Sequence, residues 1–374
     1  MIIFRYLLKD VAKTQFAVFF VLMTIFISQK FVSILGDASE GGIPGHMVMI
    51  FIGLKTPDLA GMMLPLSLFL GILLAYGRIY AESEMTVLHA CGVSEWYVVR
   101  ITLILAFITA MLTGLFTLYL GPMASEYEYQ VKEKLAADSG LSTLVAGRFQ
   151  RTGNEDAVVF IHDKDRNSNE LQKVFVAQLP KKEDDNTSII QSSLVYATAG
   201  KVIESEGGSQ ELILGKGKRY QQDENNSEFS VVSFDEYHIQ IQDQKVEQRR
   251  RKVSAVSTID LFTEEGPEYK AAIHWRLAFP IACLILTFVA VPLSVVNPRQ
   301  GKFAKLVPAL LLFLTYFLIL TSLRSGLESG VIPNTIGMWP VHAVAGLLGI
   351  SLLMRERTSG RRLKAKVKRK RGAQ

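Results

Sequence analysis

The chain has 374 residues, 49% of them hydrophobic, and a formal net charge of +6. Residues 124–270 hold 19 Lys+Arg against 26 Asp+Glu, a net of −7, while the flanks hold 22 against 9, a net of +13. Long apolar runs in the flanks and a polar, strand-like middle exclude a single soluble globular domain and a disordered chain. They point to a polytopic membrane protein with an inserted soluble domain.

A bilayer-crossing helix needs roughly 20 mostly apolar residues, because each adds about 1.5 Å against a hydrocarbon core of about 30 Å. Six stretches qualify, near 16–35, 59–77 (with an extension back towards His46), 101–120, 273–293, 306–323 and 336–354. Pro65, Pro280 and Pro308 lie in or at the edges of these segments, which packed membrane helices tolerate. Arg5, Lys9 and Lys13 precede the first, and ten Lys+Arg against one acid follow the sixth between Arg355 and Arg371. Arg299, Lys302 and Lys305 separate the fourth from the fifth. Positive loops stay in the cytoplasm, so both termini and the 78–98 loop are expected inside and the 122–271 block outside. The basic start and first apolar run resemble a signal peptide, but the run is too long and no small-x-small site comes after it, so an uncleaved first helix is expected.

The domain plan is therefore residues 1–122 as spans one to three with the 78–98 loop, 123–270 as the outside domain with its connectors, 271–354 as spans four to six, and 355–374 as a basic tail. The segment 123–138 reads as a helix leaving span three. Beyond Gly140 the period changes to two. Short alternating or β-branched runs at 157–162, 174–179, 189–197, 202–206, 211–214 and 228–241 are separated by turn-rich pieces at 163–169, 181–187, 207–208 and 223–227. That spacing predicts an all-β sandwich or barrel. Cys91 and Cys283 lie in or beside the apolar flanks, so no disulfide framework holds the β block. The run Arg249–Lys252 reads as a solvated surface feature, and the basic balance does not argue for nucleic acid.

Catalytic and cofactor motifs are missing from the sequence. There is no G-x-x-x-x-G-K-[ST], and Gly215-Lys216-Gly217-Lys218 lacks both the spacing and the hydroxyl. There is no H-E-x-x-H or G-x-S-x-G, and the six histidines make no metal-ligand spacing. No catalytic, metal or cofactor residue is assigned. Charges at span ends carry more information. Lys30, Arg276 and Arg324 fall near the outer ends of spans one, four and five. Either they snorkel to headgroup phosphates or they form a ring of cations around an anionic lipid cargo. Asp58, at the rim of span two, reads as an interfacial cap rather than a proton site.

The inside loop contains a short predicted helix over Tyr80–Cys91, stopped by Gly92, with Glu82 and Glu84 in its first turn and Met85, Leu88 and His89 or Cys91 on one face. A helix lying on a membrane surface usually carries Lys or Arg on its polar face. This one is acidic, which favours a basic protein partner and suggests a permease driven by a separate ATPase.

The run Ala81-Glu-Ser-Glu-Met-Thr-Val-Leu-His-Ala-Cys-Gly-Val-Ser94 resembles the cytoplasmic loop of the lipopolysaccharide export permeases, the LptF/LptG family, and is closer to its LptF side. Leu64-Pro-Leu-Ser-Leu-Phe-Leu-Gly71, Val291-Pro-Leu-Ser-Val-Val-Asn-Pro-Arg-Gln-Gly-Lys302, Ile2-Ile-Phe-Arg-Tyr6 and Ser28-Gln-Lys30 agree. The resemblance covers essentially the whole chain. It implies a fold of six transmembrane helices with an inserted periplasmic β-jellyroll in the inner membrane of a Gram-negative cell. It also implies pairing with LptG, a dimer of the ATPase LptB beneath the pair, and LptC at the periplasmic side. Lipopolysaccharide would be the cargo, and ATP and Mg would be bound by the ATPase rather than by this chain. On the matching positions, Glu84 corresponds to the glutamate that faces the ATPase groove, with Glu82, Met85, Leu88 and His89 beside it. Lys30 and Arg324 correspond to basic residues near the cargo's anionic headgroup. Relatives often carry a second basic residue one turn after Lys30, where Ser33 stands here. The rival readings are a permease of the FtsX or lipoprotein-release type, which usually has four spans, and a membrane-anchored lipid-modifying enzyme, for which no catalytic cluster is found.

Overall fold

The computed structural model describes residues 2–39, 43–138, 146–147, 149–151, 157–164, 170–178, 193–204, 210–222, 229–241, 252–296, 303 and 305–356. The loop cations Arg299 and Lys302, the run 249–251, the turn pieces 181–187, 207–208 and 223–227, and most of the basic tail lie outside these residues. The chain divides into a helical unit (1–36, 46–128 and 251–374) and a sheet unit (37–45 and 129–250).

In the helical unit the apolar runs form α1 (Ile2–Ser39), α2 (Val48–Ala81), α4 (Glu95–Gly114), α6 (Pro267–Leu293), α7 (Leu306–Glu328) and α8 (Trp339–Glu356), with the short α3 (Glu84–Ala90) between α2 and α4. Five of these segments are long and apolar enough to cross a membrane, and α8 is a shorter apolar helix. The sixth stretch starts later than the hydropathy predicts. Gly337 takes a left-handed turn at φ +55°, with its Cβ position only 2.4 Å from the His274 ring, and Pro340 then favours a first helical turn.

α6 packs against α2, α4, α7 and α8. Its small residues Ala271, Ala278, Ala282 and Ala290 are buried and allow close helix approach. The same logic operates where a Cβ on Gly349 would fall 2.8 Å from the Phe288 carbonyl carbon, and where one on Gly71 would fall 2.8 Å from Gln15 Cα. The second contact seats α1 on α2, and the Gln15 amide there donates to Thr109 Oγ1 at 3.0 Å. Pro57 and Pro65 in α2 and Pro280 and Pro292 in α6 do not interrupt their helices.

α4 runs on through a π-helical turn, Leu115–Leu120, into α5 (Gly121–Asp138). Pro122, at the start of α5, has no N–H for the carbonyl four residues earlier, which is Leu118. Here the Leu118 carbonyl accepts from the Thr258 hydroxyl, and the Thr117 hydroxyl donates to the Arg276 carbonyl at 3.0 Å.

The sheet unit holds one six-stranded antiparallel sheet in sequential order: β1 (Phe149–Arg151), β2 (Ala157–Lys164), β3 (Glu170–Gln178), β4 (Ser193–Glu204), β5 (Gln210–Gln222) and β6 (Phe229–Ile241). The described part of the inserted block is all β, as expected, but it is one sheet and not a sandwich or barrel among the described residues. Among the described residues the strands form a meander rather than the two Greek keys of a jelly roll. One face is core, built from Val159, Ile161, Leu171, Val174, Val176, Val195, Ala197, Leu212 and Leu214.

The runs predicted at 189–197 and 202–206 are a single strand in their described part. β4 passes straight through Ala199-Gly200, and burial changes phase there: Val195 and Ala197 face the core, then Gly200 does. β3 changes phase beside it, between Leu171 and Val174, where Lys173 has φ +49°. On the other side Lys216, at φ +40°, stands opposite the same point of β4. The sheet bends along this line, so a strict alternation across it reads as two strands. Gly215-Lys216-Gly217-Lys218 lies in the middle of β5, where Gly215, Gly217 and Lys218 each pair with both β4 and β6.

Candidate functional site

The predicted Tyr80–Cys91 helix is divided. α2 continues to Ala81, the Glu82 N–H bonds to the Arg78 carbonyl and the Ser83 N–H to the Tyr80 carbonyl, and Ser83 sits in the left-handed region at φ +63°. α3 therefore begins at Glu84, and Glu82 belongs to the turn before it rather than to its first helical turn. The reason is the left-handed turn at Ser83, which neither side-chain period nor charge encodes. The stop is where the sequence places it: Gly92 has φ +96°, and the Gly92 and Val93 N–H groups bond to the His89 and Leu88 carbonyls.

The candidate coupling residues fall into two sets. Met85 is fully buried and Leu88 packs partly buried on the same core. His89 Nδ1 donates to the Val93 carbonyl at 2.7 Å, which leaves Nε2 to accept from the Tyr80 hydroxyl at 3.3 Å. Those three hold the helix down. Glu82 and Glu84 are exposed, and so is Val87, an apolar residue one turn from Glu84 with 61% of its surface open. Val87 falls off the Met85–Leu88 stripe, so helical spacing does not mark it, and its exposure is the only signal for it.

Glu84 has a partner that no spacing predicts. The Tyr6 hydroxyl, on the second turn of α1, donates to Glu84 Oε2 at 2.5 Å. One turn along α1, Asp10 pairs with Arg78 at the end of α2.

The candidate cargo cations are not brought together by any hydrogen bond or ion pair among the described residues. Lys30 is exposed on α1, as is Ser33. Arg324, on α7, donates from Nε to Glu328 Oε1 at 2.7 Å, and its guanidinium carbon lies 4.7 Å from the centre of the Trp275 ring. A half-exposed cation held over an aromatic face keeps its charge available while losing rotamer freedom.

Arg276, the third span-end cation, does neither of the two things the sequence suggests for it. It is buried, and its guanidinium donates to Thr258 Oγ1 at 2.7 Å and to the carbonyls of Val253, Ser254 and Val256 at 3.2, 3.1 and 2.8 Å. It ties down the connector that leads into α6. A further cation, Lys55 on α2, pairs with Glu128 at 2.5 Å.

Among the described residues no group of three or more His, Cys, Asp or Glu side chains could hold a metal ion. The arrangement is one of long apolar helices, a short helix with an acidic and partly apolar exposed face, an exposed Lys30, and Arg324 held by Glu328 and the Trp275 ring.

The family model described as lipopolysaccharide export system permease LptF/LptG matches residues 5–355. The lipopolysaccharide export system permease protein LptF of Escherichia coli strain K12 is 36% identical over 370 residues, which is 99% of each chain. The proteins of the same name from Escherichia coli O157:H7 and Shigella flexneri match to the same extent.

Proposed function

The chain belongs to the LptF/LptG family of lipopolysaccharide export permeases, and from that premise we propose that it forms one half of a membrane cavity driven by a separate ATPase. The paired half is an LptG-type permease, the motor is an LptB-type ATPase dimer that binds ATP and Mg, and an LptC-type protein receives the cargo on the far side. The observation that carries this reading is the match along nearly the full length of both chains. A lipoprotein-release permease is not favoured by it.

In this reading the membrane is the bacterial inner membrane, with both termini and α3 in the cytoplasm and the sheet unit in the periplasm. α8 makes the sixth span. Its 18 residues reach roughly 27 Å, enough for most of the hydrocarbon core. The sheet unit offers an open β slot to the cargo. Residues 1–122 and 271–354 form the permease body, 123–270 the periplasmic domain and 355–374 the tail.

Acyl chains lie against the apolar walls, while Lys30 and Arg324 attract the phosphorylated sugars. Closure of the ATPase dimer pushes α3, whose exposed Glu84 and Val87 meet it, with Glu82 at the edge of the contact. Met85, Leu88 and His89 transmit the displacement because they bind α3 to the helical core. The squeeze on the cavity moves cargo into the slot.

The test is ATP-driven lipopolysaccharide extraction by the purified complex in proteoliposomes. A Glu84→Ala change should uncouple extraction from hydrolysis without unfolding the chain. Full coupled extraction by that variant would sink the proposal for α3. Photoreactive residues at Glu84 and Phe175 should crosslink to the ATPase and to lipopolysaccharide respectively.

A further inference from the structure

α1 is gripped at its start. Leu7 and Val11 are fully buried and Gln15 nearly so, one turn apart each, whereas beyond Gln15 only Met23 and Ile34 are buried. Phe16, Phe20, Val21, Ile25, Phe31, Val32 and Leu35 are exposed. The same first turns carry the two polar links already described, Tyr6 to Glu84 and Asp10 to Arg78. Those links fall on opposite sides of the Ser83 turn, one on the last turn of α2 and one on the first residue of α3. α1 therefore holds both arms of the bend that separates α3 from α2.

The carboxylate geometry allows a bridge. Glu84 Oε2 accepts the Tyr6 hydroxyl, and no donor among the described residues reaches Oε1. A phenol-to-carboxylate hydrogen bond is charge-assisted, so it resists displacement better than a neutral one. A cationic or N–H donor on an ATPase can take Oε1 while Tyr6 keeps Oε2.

We propose that Tyr6 is a positioning residue of the coupling element, joining α1 to α3 through Glu84 so that a displacement of α3 is delivered directly to α1. This rests on the reading that Glu84 faces the ATPase. α1 is suited to receive the displacement because its later turns pack chiefly through one small cluster, with Met23 buried against Leu59, Ala60 and Met63 and Phe19, Leu22, Phe26 and Ile27 only half-buried beside it. The link bypasses α2, whose middle is buried from Leu59 to Gly77 at most positions and cannot move without repacking the core.

The test is the complete complex in proteoliposomes, compared between wild type, Tyr6→Phe, Glu84→Ala and the double variant. Tyr6→Phe keeps the ring and removes only the hydroxyl. It should leave ATP hydrolysis within about two-fold while lowering lipopolysaccharide extracted per ATP at least about five-fold. The double variant should extract no less than Glu84→Ala alone, because both changes cut one link. Spin labels on Val21 and Leu314, both exposed, report α1 against α7. Trapping with ATP and vanadate should change their distance in wild type and not in Tyr6→Phe.

An unchanged extraction ratio in Tyr6→Phe, a persistent Val21–Leu314 distance change, or losses that add in the double variant would each overturn the link. If Glu84→Ala uncouples and Tyr6→Phe does not, the link to α1 fails and the ATPase-facing role of α3 stands. If neither uncouples, the ATPase-facing role itself is wrong.

Discussion

Arg276 donates to Thr258 at 2.7 Å, and Thr258 in turn donates to the Leu118 carbonyl, so one arginine joins the π-helical turn after α4 to the connector before α6. The residue four on from Leu118 is Pro122, which has no N–H, so the Leu118 carbonyl lacks its helical donor and is free to accept. The other terminal nitrogen of the guanidinium reaches three carbonyls of the half-buried connector, Val253, Ser254 and Val256. A charged donor to several main-chain acceptors contributes more than a neutral hydrogen bond. Arg276→Met should therefore cost roughly 2–3 kcal/mol and Thr258→Val about 1 kcal/mol. The thermal midpoint of the detergent-solubilised chain measures both, and a wild-type midpoint for Arg276→Met would show that the connector is held by something else.

Gly217 makes a second prediction from space alone. A Cβ there would lie 2.3 Å from the Tyr196 carbonyl oxygen and 2.5 Å from the Phe234 ring. The ring can turn aside but the paired carbonyl of β4 cannot. Gly217→Ala should destabilise the sheet by about 1–3 kcal/mol, while Gly147→Asn, where φ is +82° and nothing crowds the Cβ position, should cost well under that. Hydrogen exchange of the β4 and β5 amides in the full chain distinguishes the two: protection should fall in the first and persist in the second.

Features encoded locally are the ones legible in the sequence. The helices of the membrane body depend on apolar length, so α1, α2, α4, α6 and α7 stand where the hydropathy places them. The Gly92 stop is local too, because only glycine takes φ +96° without strain. The Ser83 break in the coupling helix is not local. It lies between Arg78 and Glu84, each held by α1 through residues 68 and 78 positions away. The bend line through Lys173, Thr198 and Lys216 is shared by three strands, and no one strand's pattern contains it. Arg276 reads as a cargo or headgroup cation because its acceptors are main-chain carbonyls 20–23 residues earlier, and main chain carries no sequence signal. Lys30, Arg324 and Glu84 are legible as charges from their places at span ends and on the inside loop, and the resemblance alone assigns them partners, which belong to other molecules.

The two faces of α3 should separate in mutagenesis. Met85 is fully enclosed, so Met85→Ala leaves a cavity and should cost roughly 2–5 kcal/mol. Val87 is open, so Val87→Asp should leave the thermal midpoint within about 0.5 kcal/mol of wild type. In the proposed contact with an ATPase, Val87→Asp places a second acid beside Glu84 and removes an apolar anchor, and co-purification of the ATPase should fall at least several-fold. Equal co-purification with a normal midpoint would move the ATPase contact off this face.

The Arg324–Glu328 pair gives the last prediction. An exposed i,i+4 ion pair is worth about 0.3–0.5 kcal/mol, too little to hold the guanidinium against a phosphate that offers a bidentate partner. Glu328 is then a weak competitor for the same charge as the cargo. Glu328→Gln should raise the lipopolysaccharide retained per purified complex by about two-fold, the factor its pairing energy allows. Arg324→Gln should lower retention, and adding Glu328→Gln to it should restore nothing. Arg324→Lys should fall between, because an ammonium keeps the charge but not the planar stacking on Trp275. All these differences should shrink in high salt, since the competing groups are exposed. Retention that is the same in Glu328→Gln and wild type at low salt would mean that Arg324 does not meet the cargo's anionic groups, leaving Lys30 as the cation to examine.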